Sequence, residues 1–169
     1  MSKIIDGSSF LVRPYRIPDQ ESYKDFSKWL DDQERDLCDL LLGKPLRKEL
    51  FESLDTSSPE ERFELLVNGD DEQFDGLIKI LVPAIYSYWL DPNQFKLTAA
   101  GIVTNQQPQG SIVLDNNIAF EVQAWNDFVK KVGQPRTKDE TTFWFYMNQH
   151  KDDFSNWKFT PQESKNRYI

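Results

Sequence analysis

The sequence predicts a mainly α protein: a helical bundle with a long β-hairpin-like loop and extended N- and C-terminal arms. Three observations lead there. Apolar residues recur at helical spacing through most of the chain, in runs that Gly or Pro punctuates. Between Lys96 and Asp115 no charged side chain occurs, although 28% of the chain is charged. Both ends carry bulky residues with no sustained helical period. The expected division is an extended N-terminal arm at residues 1–18, a single helical domain at 19–150 with an extended loop at 97–114, and a C-terminal arm at 151–169.

In the first arm, Pro14 and Pro18 bracket alternating bulky residues, and proline restricts both itself and its predecessor away from helix. Phe10 to Ile17 therefore reads as an arm or edge strand. Asp19 can cap a helix that runs to about Leu42, with Phe26, Leu30, Leu37 and Leu41 at helical spacing, and Gly43 and Pro45 end it. A short helix with Leu46, Leu50 and Leu54 follows. The run Ser58-Pro59-Glu60-Glu61 reads as a capping box that opens the next one. From about Asp71 to Leu90, Phe74, Leu77, Ile78, Leu81, Ala84, Ile85, Tyr88 and Trp89 form a wide apolar stripe, the expected centre of the core. Pro83 inside it is expected to kink or divide the helix.

Next comes the uncharged stretch. Ile102 and Val103 on one side of Gln106–Gly110, and Ile112, Val113 and Leu114 on the other, read as a long-looped hairpin or two extended strands. Asp115 or Asn116 can then cap a helix to about Val132 with Ile118, Val122, Trp125, Val129 and Val132 on one face. Gly133 and Pro135 stop it. Thr137 to Glu140 reads as a second capping box, opening a helix with Phe143, Met147 and His150 in line. Phe154, Trp157, Phe159 and Tyr168 belong to the C-terminal arm.

Composition narrows the function classes. With 169 residues the chain suits one domain with a sizeable core. An aromatic content of 14% argues against intrinsic disorder, while a mean hydropathy of -0.65 indicates much wetted surface. The net charge of -8 disfavours a phosphate-gripping protein and suits a surface that DNA passes without sticking. Cys38 is the only cysteine, so no disulfide within the chain can form. No signal-peptide-like or membrane-spanning apolar run is seen, which leads to the expectation of a cytoplasmic site of synthesis and use.

The catalytic signatures are missing. One His and one Cys cannot supply the four ligands of a structural zinc site. His150 reads as a surface or packing histidine and Cys38 as core. Asp71 to Gly76 faintly resembles a calcium loop, but the twelfth position, which needs Glu, is Val82. Asp70, Asp71 and Glu72 read instead as helix-start carboxylates. No glycine-rich phosphate loop or nucleophile elbow is found. The expectation is no catalytic residue, no cofactor and no metal.

What exceeds background is surplus apolar material. Phe120, Ala124 and Phe128 recur at four-residue spacing roughly opposite part of the Val122/Val129 face, which suggests burial on two sides, in a thick core or in a core plus a partner. A two-stranded hairpin is marginal in water and needs a further surface, which an edge strand can find on a neighbouring chain. The candidate subunit or partner interface is therefore Thr98, Ile102, Val103, Ile112, Val113, Leu114, Phe120, Phe128, Trp157 and Phe159.

The block from Leu81 to Gln106 carries a resemblance. Pro83, Ala84, Tyr86 and Tyr88 in an apolar, tyrosine-rich helix, then a polar turn, then Thr98, Gly101, Ile102 and Val103 in an uncharged segment, resemble the central block of small head-tail connector proteins of tailed bacteriophages. These are the adaptor or ring proteins, especially those of crAss-like phages and their Bacteroidetes relatives. The resemblance implies a structural virion protein at the portal-tail junction, assembled in the host cytoplasm. It implies a homo-oligomeric ring, dodecameric to match the portal, that binds portal protein and the next tail component. Genomic DNA would pass through without specific binding, and neither enzyme activity nor membrane is implied. The rival from another class is a small acidic cytoplasmic inhibitor, a DNA mimic occupying a basic site on a host enzyme. An enzyme using dispersed carboxylates is a third.

Overall fold

The computed structural model describes residues 3–11, 14–17, 26–70, 74–93, 95–98, 101–104, 112–135, 137, 141–158 and 162; for 91–93, 95–98, 101–104 and 112–119 it describes the backbone alone. The fold is mainly helical. Its elements among these residues are a 3-10 turn (Gly7–Phe10), α1 (Phe26–Leu42), α2 (Lys44–Leu54), α3 (Glu61–Asn68), α4 (Gly76–Asn93), β1 (Phe95–Thr98), β2 (Gly101–Thr104), α5 (Ile112–Val132) and α6 (Phe143–Gln149).

α4 is the axis of the molecule. Leu77, Ile80, Leu81, Val82, Ala84 and Ile85 are all buried, so this helix is apolar around most of its circumference. Such a helix is stable only when covered on several sides. α1, α3, α5 and the 3-10 turn all pack on it. Pro83 is buried within α4 and does not divide it. Trp89 meets Phe26 and Trp29 of α1 edge-on, with ring centroids 5.8 and 5.5 Å apart. At the start of α4, Asp75 receives the Lys131 ammonium from the end of α5, so the two helices run antiparallel. Midway, Tyr88 packs on Trp125 at 5.7 Å.

Three helix starts differ from the sequence reading, each for a local reason. α3 begins at Glu61 with Glu60 in the cap position, and Ser58 caps nothing in it. The Glu60 N–H is taken by the Ser53 hydroxyl of α2, 2.9 Å away, which ties the loop back to the preceding helix. α6 begins at Phe143, where the Thr142 hydroxyl accepts from the Phe145 N–H; the helix opens later than the Thr137–Glu140 box implied. Likewise α4 starts at Gly76, several residues after Asp71. Asp70 uses its carboxylate to accept the Phe74 N–H at 2.8 Å, closing a turn instead of capping the helix. Gly69 and Gly76 flank that turn at φ 87° and 79°, and a Cβ on either would overlap backbone atoms of the other strand of the turn. Only glycine permits so close an approach with a positive φ.

The expected hairpin also differs. β1 pairs antiparallel with β2 in the register Phe95↔Thr104 to Thr98↔Gly101, so Ile102 and Val103 face Leu97 and Lys96 across the ladder. Ile112, Val113 and Leu114, expected as the returning strand, form the first turn of α5. Once α4 ends, this helix continues antiparallel to it, and a three-residue apolar run has the same pattern in a strand as in a buried helix turn. The Gln106–Gly110 turn lies outside the described residues, as do Asp19, Val12, Arg13 and Pro18.

Among the described residues, parts of both terminal segments pack against the helices. Ile4, Ile5, Phe10 and Ile17 are all buried, each side chain contributing about 1.5–3 kcal/mol against leaving it in water. The N-terminal segment is held by one carboxylate. Glu34, 1% exposed on the inner face of α1, accepts the backbone N–H groups of Lys3 at 2.8 Å, Ile4 at 3.0 Å and Ile5 at 2.8 Å. At the other end, residues 151–156 form turns that bury Phe154, and the Trp157 indole N–H donates to the Leu41 carbonyl at 2.8 Å. Arg62 secures this segment: its guanidinium lies over Phe63 at 4.3 Å and Phe154 at 5.9 Å, and donates to the Asp153 carbonyl.

Glu34→Ala strips three amides of their acceptor, and those of Ile4 and Ile5 are left in a buried site. We expect it to cost about 3–5 kcal/mol in urea unfolding, because each unsatisfied buried donor costs about 1–3 kcal/mol. Amide exchange at Ile4 and Ile5 should accelerate before exchange in α4 does.

Candidate partner interface

The surface that stands out is built by the N-terminal segment lying across α4 and α5. The Ile17 N–H donates to the Phe10 carbonyl at 2.9 Å, which ties residues 14–17 back to the 3-10 turn. Tyr15 then spans both helices. Its ring meets Tyr86 of α4 edge-on at 5.6 Å, and its hydroxyl donates to the Asp127 carboxylate of α5 at 2.8 Å.

Two grooves lie near Tyr15. One, of about 420 Å³, is lined by Pro14, Arg16, Tyr86 and Phe120. The other, of about 390 Å³, is lined by Tyr15, Asp127, Lys130, Lys131, Thr141 and Thr142. In the second, Lys131 is engaged with Asp75 and Asp127 with Tyr15, so its charges are answered internally. The first is different. Phe120 is 53% exposed, a large aromatic face in water, and Arg16 is exposed beside it. Volume and lining suit an apolar side chain of a partner, with one cation at the edge to orient it.

Phe120 owes its position to α5. The buried stripe of that helix is Glu121, Ala124, Phe128 and Val132, with Trp125 and Val129 half-buried on one flank and Phe120 on the other. The sequence reading placed the main face on Ile118, Val122, Trp125, Val129 and Val132: Val132 is buried, Val122, Trp125 and Val129 are half-buried, and the Ile118 side chain lies outside the described residues. The buried stripe lies to one side of that face, with Ala124 and Phe128 on it. Phe128 is 0% exposed and packs on Trp125 at 5.0 Å, so it is a core residue and not a partner contact. Trp157 is half-buried against Phe143 at 5.8 Å and spends its N–H on Leu41, so it too serves the chain's own core. Phe159 lies outside the described residues. Thr98, Ile102 and Val103 are placed in β1 and β2, and Ile112, Val113 and Leu114 in α5, by backbone only.

The sequence reading missed Pro14 and Arg16, because an arm gives no reason to place them against Phe120. Reactive chemistry is not gathered at this surface. Among the described residues no cluster of His, Cys, Asp and Glu could hold a metal ion, and no helix is long and apolar enough to cross a membrane. Cys38 is 0% exposed, and burial pushes its thiol well above the usual range. His150 pairs with Asp153 at 3.3 Å on the surface.

Burial, and then the bond to Asp127, pushes the Tyr15 phenol far above its ordinary value. Burial also pushes Tyr146, stacked on Phe74 at 4.2 Å, up to about 12. Both groups are neutral when folded and ionise near pH 10 when unfolded. Their stabilisation is therefore complete below pH 10 and is lost as pH rises above it. Tyr15→Phe should lower stability at pH 8 by about 1 kcal/mol, the worth of one hydrogen bond. It should also make the fall in stability above pH 10 shallower, as read from urea midpoints across that range. No protein-family model matches this chain, and neither a curated protein nor a solved structure matches it.

Proposed function

We propose that this chain is a structural, non-enzymatic subunit of a virion, one copy in a ring that joins the portal vertex of a capsid to the tail and lets genomic DNA pass. The observation that carries the reading is the exposed Phe120 and its groove on the α4–α5 pair, the same pair that leads into the uncharged residues 97–114. An aromatic face in water, continuous along the chain with a charge-free segment, is what an assembling subunit needs, since a buried charge without a partner is costly. The likeness of Leu81–Gln106 to connector proteins supplies the kind of assembly. In this reading the β1–β2 hairpin meets portal or a neighbouring copy, and the ring is dodecameric. The net charge of -8 then serves a lumen through which DNA slides without adhering.

The test is imaging of the purified chain mixed with the portal protein encoded nearest its own gene. A ring seated on the portal is the expected result; a chain that never binds portal overturns the reading. Replacing Ile102 and Val103 by Asp should disturb the thermal melt of the monomer less than it disturbs assembly. Ring formation on the portal should be lost. The paired readout is calorimetry against particle counts in negative stain.

A further inference from the structure

Three large apolar side chains are exposed among the described residues: Leu11 (61%), Leu65 (36%) and Phe120 (53%). Two of them sit in settings of opposite charge. Phe120 shares its groove with the exposed Arg16. Leu65 lies on the outer face of α3, where Glu61, Glu64, Leu65 and Asn68 are exposed while Phe63, Leu66 and Val67 turn inward. The α3 face is thus an aliphatic knob rimmed by two carboxylates, and the groove is an aromatic hollow with a guanidinium at its edge.

Position matters as much as chemistry. α3 joins α4 through the tight Gly69–Gly76 turn at the start of α4, whereas Tyr86 lies ten residues further on, about 15 Å along the helix at 1.5 Å per residue. The knob and the groove therefore occupy different ends of α4 and cannot meet within one copy. Between copies they can. Two unlike patches on one subunit make a head-to-tail contact, which repeats until the rotation closes a ring or propagates a filament.

We propose that the groove of Pro14, Arg16, Tyr86 and Phe120 on one copy receives the outer face of α3 on the next, with Leu65 against the aromatic rings and Glu61 and Glu64 facing Arg16. This contact rests on the reading of the chain as a ring-forming subunit and names the surfaces that join neighbours. Each copy carries a net charge of -8, so distant charges oppose association. They are screened beyond about 8 Å at physiological salt, and the local Arg–Glu pairing sets the register. A single contact of this kind is weak, and closure of the ring strengthens it, because the last subunit engages two neighbours at once.

Sedimentation velocity and native mass spectrometry of paired variants test it. Phe120→Asp removes the groove and keeps the knob; Leu65→Asp removes the knob and keeps the groove. Both positions are exposed, so both variants should fold, and unchanged circular dichroism confirms it. Each alone should be monomeric where the wild-type chain self-associates. Mixed together they should form a 1:1 dimer and nothing larger, since one live groove and one live knob remain. Arg16→Glu, and separately the pair Glu61→Arg with Glu64→Arg, should each weaken self-association at least tenfold, and all three in one chain should restore it. Absence of the mixed dimer, with wild-type chains still associating, overturns this contact and leaves the ring reading standing. So does assembly of both single variants on portal. A wild-type chain that remains monomeric at hundreds of micromolar overturns the contact, and if it also ignores portal, the ring reading falls with it.

Discussion

The fold depends on one buried carboxylate. Glu34 occupies a core position of α1, in line with Leu30, Leu37, Cys38 and Leu41, and an unpaired charge there would destabilise the native state by several kcal/mol. Three consecutive backbone amides satisfy it. The exchange is mutual. Lys3, Ile4 and Ile5 have no helix or sheet to accept their N–H groups, and the carboxylate supplies what secondary structure otherwise would. Once these residues are fixed, Phe10 is delivered to Phe26 and Ile17 to the core, and Tyr15 is drawn across α4 and α5. The groove beside Phe120 inherits its Pro14 and Arg16 wall from a contact made at the far end of the same segment.

α4 imposes the second constraint. A helix apolar nearly all round demands several neighbours, and the chain meets that demand with elements from both ends of the sequence. The aromatic contacts are correspondingly long-range: Trp29 on Trp89, Tyr88 on Trp125, Phe74 on Tyr146. Coverage of α4 takes Trp125 and Phe128 of α5 into the packing and leaves Phe120 as the aromatic residue of that helix exposed to water.

This division explains what was legible in the sequence. The helical class, the ends of α1 and α5 and the central place of α4 follow from periodicity and from Gly43, Gly133 and Pro135, because those signals are local. The starts of α3, α4 and α6 were misplaced because the deciding hydrogen bonds come from Ser53, Asp70 and Thr142, and several side chains nearby could have made them equally well. Ile112–Leu114 read as strand because a short apolar run does not declare its period. Glu34 left a visible mark, a carboxylate on an apolar stripe, but backbone amides carry no residue identity, so its partners could not be named. At the candidate interface, Phe120 was recognisable as surplus apolar surface. Arg16 and Pro14 were not, since their neighbours are 70 or more positions away in the chain.

Cys38 lies one helical turn beyond Glu34 and is sealed beneath the same N-terminal segment and core. As the sole thiol in the chain, it turns concealment into a clock. A thiol reagent can reach it only during an opening that exposes α1, so the rate of labelling at saturating reagent is the rate at which that part of the structure opens. The molecule thus carries its own reporter of breathing, one that needs no introduced cysteine and separates the motions of the core from the fit of its surfaces to one another.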